Sequence, residues 1–245
     1  ERREFWLEFD IRNHFKLGPI KYHNVVASIK GTHYPDEYVI ISGHLDAYDV
    51  ATGGVDCGTG IAPMMEAARL IALSGAKPKR TILFVGFAGE EFGLLGAKAF
   101  CETHKNKLGK IANLFNRDGG PTPPVGISVP KAMYDDFVEI CKPIKDINPE
   151  SPFEVTVAQP RKKPTQMGGT DASVFAVNGV PTYGFREQDF KGYNFNYGEI
   201  WHTERDLYTK SIPEYMEHTS VVTAIVALGV ANLKHQLSRE GMYTE

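Results

Sequence analysis

Imidazole and carboxylate side chains follow the predicted buried strands of this chain, in the loops where each strand ends. His44 closes the apolar run Tyr38–His44, and Glu90 and Glu91 come directly after the run 80–88. The other residues of this kind are Asp46, Asp56, Asp118, His202 and Asp206, from the segments GHLDAYDVATGGVDCGTG, NRDGG and IWHTERD. In parallel sheets, ligands bind outside the carboxyl ends of the strands. We therefore expect these side chains to gather at one edge of a sheet.

Histidine with aspartate and glutamate, and without a cysteine pair, is a ligand set that zinc accepts. Two ions about 3.5–4 Å apart can hold a hydroxide and polarise a carbonyl oxygen. Asp46 lies two residues beyond His44 and is expected to accept the other imidazole N–H. Of the adjacent acids Glu90 and Glu91, one can coordinate metal while the other moves a proton.

Each of these residues also has an ordinary structural interpretation. Asp56 alone in a glycine-rich loop is typical of a turn, as is Asp49. Glu90 and Glu91 alone could stabilise the N-terminus of the helix that follows them. A phosphate-binding loop is not indicated, because the glycines of TGGVDCGTG lack the GxGxxG spacing and no Gly-Lys-Ser/Thr appears. Together, at successive strand ends, the acids and histidines favour a metal site.

The order of elements predicts the α/β class, with a mostly parallel mixed sheet covered on both faces in three α/β/α layers. FWLEFDIRNHF (5–15) alternates as an exposed antiparallel strand would, and KYHNVVASIKG looks like its partner. Buried strands are predicted at 38–44, 80–88 and 111–117, with further strands in FEVTVAQ and VPTYGF. Helices are predicted at 59–74, GLLGAKAFCETH, 131–146, TDASVFAVNG and 212–237, the last with the capping-box pattern Ser211-x-x-Glu214.

The bulk composition narrows the choice of function. The 245 residues are 42% hydrophobic with a net charge of −3, which gives no electrostatic footprint for nucleic acid or an anionic membrane. No apolar stretch approaches the ~20 residues that span a bilayer. Three dispersed cysteines make no disulfide framework. We expect one domain over residues 1–245, and the opening ERREFWLEFD suggests a processed or truncated piece.

The motifs resemble those of a known family. The chain is similar to co-catalytic dizinc exopeptidases of the bacterial leucyl aminopeptidase and glutamate carboxypeptidase type. The residues that carry this similarity are the run from VIISGHLD through DCGTG to FAGEEFGLLGAKAF, and the later segments NRDGG, GGTDASVF, GVPTYGF and WHTERD. It is most similar to the branch that contains plasma glutamate carboxypeptidase. The resemblance covers nearly all of the chain. It implies the zinc-exopeptidase (phosphorylase/hydrolase-like) fold, two Zn²⁺ ions and a peptide substrate.

The resemblance also implies a role for each matching position. His44 with Asp118 would hold one ion, Glu91 with His202 the other, and Asp56 would bridge them. Glu90 resembles the general base that takes a proton from a metal-bridging water and returns it to the leaving amine. Asp46 matches the carboxylate behind His44, and Asp171 and Asp206 fall at motif positions with supporting roles. A secreted or periplasmic location follows only from relatives, and a homodimer is left open.

The sequence departs from the family pattern at two positions. Cys57 stands where Asp or Asn usually follows the bridging Asp56, and Leu207 where Thr often stands. The bond before that residue is commonly cis in relatives, so we expect a cis Asp56–Cys57 bond. A neutral thiol behind the metal site is favoured over a thiolate ligand. Many relatives carry an extra N-terminal segment or inserted domain, which we expect to be absent from this chain.

Substrate contacts are predicted from the aromatic stretch near residues 183–201. The aromatic residues of this stretch are candidates for walls of a specificity pocket beside His202, and an ordinary packed loop is an equally good interpretation. They are Tyr183, Phe185, Phe190, Tyr193, Phe195 and Tyr197. Arg186 is a candidate for receiving a peptide carboxylate. The leading function is a dizinc exopeptidase acting on short peptides or N-terminal residues. The alternatives are an inactive receptor-like ectodomain and a one-zinc enzyme resembling glutaminyl cyclase.

Overall fold

A computed structural model describes residues 4–14, 16 and 18–244. The strands are β1 Val25–Ile29, β2 Tyr34–His44, β3 Arg80–Phe87, β4 Ile111–Asn116, β5 Pro124–Val129, β6 Glu154–Val157 and β7 Phe185–Glu187. The helices are α1 Gly58–Leu73, α2 Leu95–Thr103, α3 Lys131–Ile147, α4 Asp171–Val177 and α5 Pro213–Asn232.

Strand β2 runs through the middle of the main sheet, whose order is β1-β3-β2-β4. It is parallel to both β3 and β4, whereas β1 is antiparallel to β3. A second sheet has the order β6-β5-β7. The stretch 180–184 joins the two sheets, because Leu114 N–H donates to the Pro181 carbonyl (2.9 Å) and the Asn113 amide bonds both backbone groups of Tyr183 (3.0 Å each).

The two faces of β2 pack against different helices. Val39 and Ile41 belong to one buried cluster, which also contains residues of α1, α3 and α5. Ile40 belongs to the other, with residues of α2 and α4. Because successive strand residues point to opposite faces, this alternation puts β2 between two helical layers. The predicted α/β class with three layers is confirmed, and the sheet is mixed but divided into two parts.

Several element predictions were wrong. A strand was expected over residues 5–15 as the partner of KYHNVVASIKG, but residues 5–14 are exposed and form no strand. Residue 15 lies outside the described residues. The strand β1 pairs with β3 instead. β5 was missed because prolines surround its short apolar core in PTPPVGISVP. The strand expected in VPTYGF begins only at Phe185. Helix α5 ends at Asn232, and Ser211 does not cap it, since its hydroxyl donates to the Tyr208 carbonyl.

No helix in the described ranges is long and apolar enough to cross a membrane.

Candidate metal centre

The candidate residues converge at the carboxyl ends of three neighbouring strands. His44 is the last residue of β2, Glu90 and Glu91 follow β3, and Asp118 follows β4. These strands are parallel neighbours, so their ends lie at the same edge of the sheet. Asp56 reaches the same place from the loop before α1.

His44 is the most buried member of this group, with 2% of its surface exposed. Its Nε2 lies 2.9 Å from Asp56 Oδ1 and 3.2 Å from Asp118 Oδ1. Its Nδ1 lies 2.9 Å from the backbone carbonyl of Asp46, and a carbonyl can only accept. Nδ1 therefore carries a proton, and Nε2 faces two carboxylates with either a second proton or a lone pair for a cation.

Glu91 and His202 form a second half of the centre. Glu91 Oε2 lies 3.0 Å from His202 Nε2, while Glu91 Oε1 is buried without a hydrogen-bond partner among the residues that the structure describes. One ligand atom each from His44, Asp56 and Glu91 lies within 4.8 Å of the others. Asp56 therefore lies between the two halves, the position that a bridging carboxylate requires.

The carboxylate of Asp46 does not accept the His44 N–H, which corrects the sequence-based expectation. Its nearest oxygen is 3.8 Å from His44 Nδ1, and the backbone carbonyl takes that bond instead. The two carboxylate oxygens accept the backbone N–H groups of Glu90 and Glu91, each at 3.1 Å. Asp46 thus contacts His44 through its main chain and holds the Glu90–Glu91 turn through its side chain.

Asp206 and Cys57 lie behind the loop that carries Asp56. Asp206 is 1% exposed and accepts the backbone N–H groups of Val55 (2.6 Å) and Asp56 (3.3 Å). The Asp56–Cys57 bond is cis, as expected. The Cys57 thiol donates to the Arg117 carbonyl (3.0 Å), and burial raises its pKa to about 12. This geometry agrees with the expected neutral thiol, whose hydrogen bond holds the backbone of Arg117, the residue before Asp118.

Asp171, the first residue of α4, is buried at 1% exposure, and neither of its carboxylate oxygens has a hydrogen-bond partner within the described part of the chain. Burial, opposed by the charge of His44 and reinforced by that of Asp118, raises its pKa to about 7. A carboxylate without partners is costly to bury, and functional sites are where such groups are retained.

Burial and charge pairing act in opposite directions on the acids and the histidine. Burial alone would lower the pKa of His44, but hydrogen bonds to Asp118 and Asp56 raise it to about 12. Burial would raise the pKa of Asp56, yet hydrogen bonds from His44 and Tyr197 hold it below its ordinary value. Glu90 is 8% exposed, and burial followed by the charge of Asp118 raises its pKa to about 8.

A cavity of about 960 Å³ opens over these residues. Its wall contains, besides the candidate ligands Asp56, Glu91, Asp118 and His202, the residues Glu90, Lys98, Thr122, Met167, Phe185, Glu187, Tyr197 and Trp201. Glycine-rich turns at 119–120 and 168–169 complete it. The residues that line this cavity therefore come from six separate segments of the chain.

Of the predicted substrate contacts, Phe185 and Tyr197 line this cavity, whereas Arg186, Tyr183 and Tyr193 do not. Arg186 points to the neighbouring strand β6, where its Nη2 lies 3.4 Å from the Glu154 carbonyl and 3.7 Å from Glu154 Oε2. Tyr183 packs against the buried cluster under α1, α3 and α5. The Tyr193 hydroxyl donates to Glu214 on α5. Alternation along β7 explains the error at Arg186, since its neighbours Phe185 and Glu187 are the ones that face the cavity.

Two tyrosines lie against the candidate ligands, and only Tyr48 was not assigned from the sequence. Tyr197 faces Asp56, and Tyr48 stacks on His202. Tyr197 belongs to the aromatic stretch already suspected, whereas Tyr48 lies in the GHLDAYD segment without a distinguishing signal.

The donor set fits a divalent cation. His44 Nε2 faces oxygens of both Asp56 and Asp118, although one imidazole N–H can point at only one of them well. Glu91 Oε1 is buried and unpartnered at the same place. Carboxylates this close repel each other unless positive charge lies between them. Imidazole and carboxylate donors suit zinc, and the orphaned Glu91 oxygen marks where a cation would bind.

A three-layer α/β/α fold with a carboxylate–imidazole centre at its strand ends defines the class of this protein as a candidate metal-dependent hydrolase. The chain belongs to peptidase family M28, whose family model matches residues 24–226. It is 32% identical over 231 residues to carboxypeptidase Q of Rattus norvegicus, covering 92% of this chain and 46% of that protein. The chain thus spans about half the length of the curated relatives it matches.

Solved structures give the same assignment. The peptidase M28 precursor from Shewanella amazonensis superposes with a TM-score of 0.72 at 31% identity, over 88% of this chain and 46% of that one. A zinc aminopeptidase from Bacillus subtilis has a TM-score of 0.64 over 90% of this chain and 53% of its own, and at 17% identity it supports the fold alone.

Proposed function

We propose that this chain is the catalytic part of a dizinc exopeptidase that hydrolyses short peptides or removes N-terminal residues. The observation that carries the proposal is the chain of contacts that joins five candidate ligands in one cavity, with Glu90 beside them in its wall. These ligands are His44, Asp56, Asp118, Glu91 and His202. Membership of peptidase family M28 supports it, as does the name of one relative, a probable zinc metalloprotease of Pyrenophora teres.

Five residues would hold the metal. His44 and Asp118 would serve one ion, Glu91 and His202 the other, and Asp56 both. Bound zinc supplies Lewis acidity, which polarises a peptide carbonyl and lowers the pKa of water. The grouping follows the contacts, because His44 meets Asp118 while Glu91 meets His202.

Glu90 is the proposed proton carrier. It is buried in the cavity wall next to the candidate ligand Glu91, and its backbone is fixed by Asp46. Its raised pKa, about 8, suits a group that both accepts and returns a proton near neutral pH, and a cation bound nearby opposes that rise. Glu90 would take a proton from the attacking water and deliver it to the amine that leaves.

Supporting residues keep these groups in place. Asp46 bonds the backbone of both glutamates, and Asp206 bonds the backbone of Asp56. Tyr48 covers one face of the His202 ring. Such outer contacts typically change metal affinity or activity by 10–100-fold when removed.

Hydrolysis of a peptide panel tests the function. Zinc-loaded protein is assayed on dipeptides, N-blocked peptides and C-amidated peptides, with zinc content measured in the same sample. We expect cleavage of at least one series with a free terminus. A folded protein that binds two zinc ions and cleaves none of them would contradict the proposal and favour the inactive ectodomain, whereas one ion per chain would favour the glutaminyl-cyclase-like alternative.

Paired substitutions test the division of roles. Glu90→Gln should retain both metals and lose nearly all turnover, on the order of 10³-fold or more, because only proton transfer is removed. Glu91→Gln should weaken zinc binding instead. The reverse pattern would show that the two glutamates have exchanged roles. The secreted or periplasmic location, a homodimer and a single domain over 1–245 stay predictions.

A further inference from the structure

The loop that carries Glu90 and Glu91 is closed at its base by a backbone hydrogen bond. It connects β3 to α2. The N–H of Gly96, the second residue of α2, donates to the carbonyl of Ala88, the first residue after β3, at 2.8 Å. Because the two ends of the loop bond each other, a displacement of its base is passed on to both glutamates.

The side chain of Asn24 binds both of these end residues. Its Oδ1 accepts the N–H of Ala88 (3.0 Å), and its Nδ2 donates to the carbonyl of Gly96 (2.9 Å). Since a backbone N–H only donates and a carbonyl only accepts, the two partners fix the orientation of the Asn24 amide. The base of the loop is therefore held by a residue that lies 64 positions before Ala88 in the sequence.

Asn24 extends the pairing of β1 with β3 by one position. It directly precedes β1, and the antiparallel register of the two strands ends with Val25 opposite Gly86. A side-chain amide offers a donor and an acceptor, as a peptide group does. The Asn24 side chain thus takes the place of a backbone group at the point where β3 ends and the loop begins.

The packing at Gly96 leaves room for this amide and for little else. A Cβ at Gly96 would lie 2.2 Å from Asn24 Oδ1 and 2.6 Å from the carbonyl oxygen of Ala88. Both distances are far shorter than van der Waals contact, so a larger residue here would push the loop away from the amide. Close packing and two hydrogen bonds together restrict the base of the loop.

A second side chain holds the same loop at its tip. The carboxylate of Asp46 accepts the backbone N–H groups of Glu90 and Glu91, each at 3.1 Å. Asp46 follows β2, whereas Asn24 precedes β1 at the edge of the same sheet. The glutamates are thus fixed from two different parts of the sheet.

We propose that Asn24 is a positioning residue for the proton carrier Glu90 and the candidate ligand Glu91. The inference rests on the proposed exopeptidase function and adds to it a residue that does not line the cavity. Asn24 acts through the backbone of the loop. Without its amide, one backbone N–H and one carbonyl lose their partner, and the loop can move relative to the metal centre.

Asn24→Ala tests the proposal through two readouts. The first is kcat and KM with the peptide of the panel above that the wild type cleaves fastest, under conditions where circular dichroism shows both proteins to be folded. We expect kcat to fall about tenfold or more and KM to change by less than about twofold, because the position of Glu90 affects proton transfer more than binding. The second is amide hydrogen exchange of residues 88–96 in metal-free protein, which should become about tenfold faster.

Asn232→Ala is the matched control at the opposite end of the same strand. Asn232 Oδ1 accepts the N–H of Lys79 (3.1 Å), the residue before β3. The length of β3 puts this bond about 26 Å from the glutamate loop. Asn232→Ala should lose stability as Asn24→Ala does and keep the wild-type kcat. An equal loss of kcat in both variants would show that Asn24 serves only the stability of the sheet.

Asn24→Asp is a second variant of the same size, for use where Asn24→Ala does not fold. Its carboxylate can accept from Ala88 but cannot donate to Gly96, so kcat should fall by roughly threefold to tenfold. Unchanged kcat and unchanged exchange in a folded variant at residue 24 would overturn the proposal. A wild type that cleaves no peptide would count against the exopeptidase function itself, and the exchange measurement would still decide whether Asn24 holds the loop.

Discussion

The ring of Tyr48 stacks on the imidazole of His202, with ring centroids 4.1 Å apart and planes 6° apart. Trp201 packs beside the same imidazole at 4.3 Å. His202 has a backbone φ of +58°, a conformation that is uncommon for residues other than glycine. Contacts on the ring therefore have to hold a residue whose backbone is not in its preferred region.

Removing the Tyr48 ring should loosen His202 and weaken metal binding. We expect Tyr48→Ala to lower zinc affinity by roughly tenfold, whereas Tyr48→Phe keeps the stack and the affinity. Competition with a chromogenic chelator measures the dissociation constant. Tyr22→Ala serves as control, since this exposed tyrosine does not line the cavity. Unchanged affinity in Tyr48→Ala would mean that His202 needs no support from this ring.

Asp46→Asn should disturb the glutamate turn more than it disturbs His44. Asparagine keeps one acceptor oxygen, so one of the two backbone N–H groups loses its charged partner at a cost of about 1.5–3 kcal/mol. His44 keeps its bond to the carbonyl of residue 46. We therefore expect a lower free energy of unfolding in urea and a reduced kcat. Zinc affinity at the His44 side should be largely retained, and a complete loss of both metals would contradict this division.

Gly60 in α1 should not tolerate alanine, although alanine usually favours a helix. A Cβ there would lie 2.3 Å from the Arg117 carbonyl oxygen and 2.5 Å from Cys57 Sγ. Gly60→Ala must therefore push the α1 N-terminus away from the segment that carries Asp118, and we expect destabilisation of about 1–3 kcal/mol. Gly109→Ala is the matched control, because its Cβ would meet nothing within 4 Å. Equal melting temperatures for the two variants would disprove the close packing.

The metal-free protein should lose stability as pH rises from about 4 to 8. Asp171 and Glu90 have pKa values raised to about 7 and about 8, so the folded state holds protons there that the unfolded chain has released. The free-energy cost of ionising these two carboxyl groups in the folded state is absent below about pH 4 and complete above about pH 8. Asp171→Asn should flatten this dependence by a few kcal/mol, as measured by urea unfolding at pH 5 and 8.

Zinc should reverse the trend, because its ligands must be deprotonated to bind. The rise in melting temperature on adding zinc is expected to be larger at pH 8 than at pH 5.5. A metal-free protein whose stability is independent of pH in this range, or a zinc effect that is larger at the acid end, would contradict the assignment.

The site was more predictable from the sequence than the periphery of the fold. Strands β2, β3 and β4 are apolar runs of ordinary length, and parallel pairing brings their ends together, so His44, Glu91 and Asp118 could be grouped from spacing alone. Arg186 could not be placed, because the strand expected in VPTYGF begins five residues later than predicted, at Phe185, so that Arg186 lies within β7 and faces away from the cavity. A shift by one residue reverses the face of every side chain in a strand.

Other features depend on contacts between segments that are distant in the sequence, which a local sequence pattern does not predict. The choice between the carboxylate and the carbonyl of Asp46 as partner of His44 is fixed by the backbone of the Glu90–Glu91 turn. The stack of Tyr48 on His202 joins positions far apart in the chain. Residues 5–11 alternate like a strand, but alternation does not supply the neighbour that a strand must pair with.

The candidate ligands are dispersed along the chain, from residue 44 to residue 202, and each loop contributes only one or two of them. No short segment can bind a cation with more than two of these groups before the strands have paired and Asp206 has anchored the Asp56 loop. In the absence of a cation the chain folds against the mutual repulsion of its own acids. We therefore expect a cation to bind the folded chain far more tightly than any short segment of it, and its binding free energy to add directly to the stability of the fold.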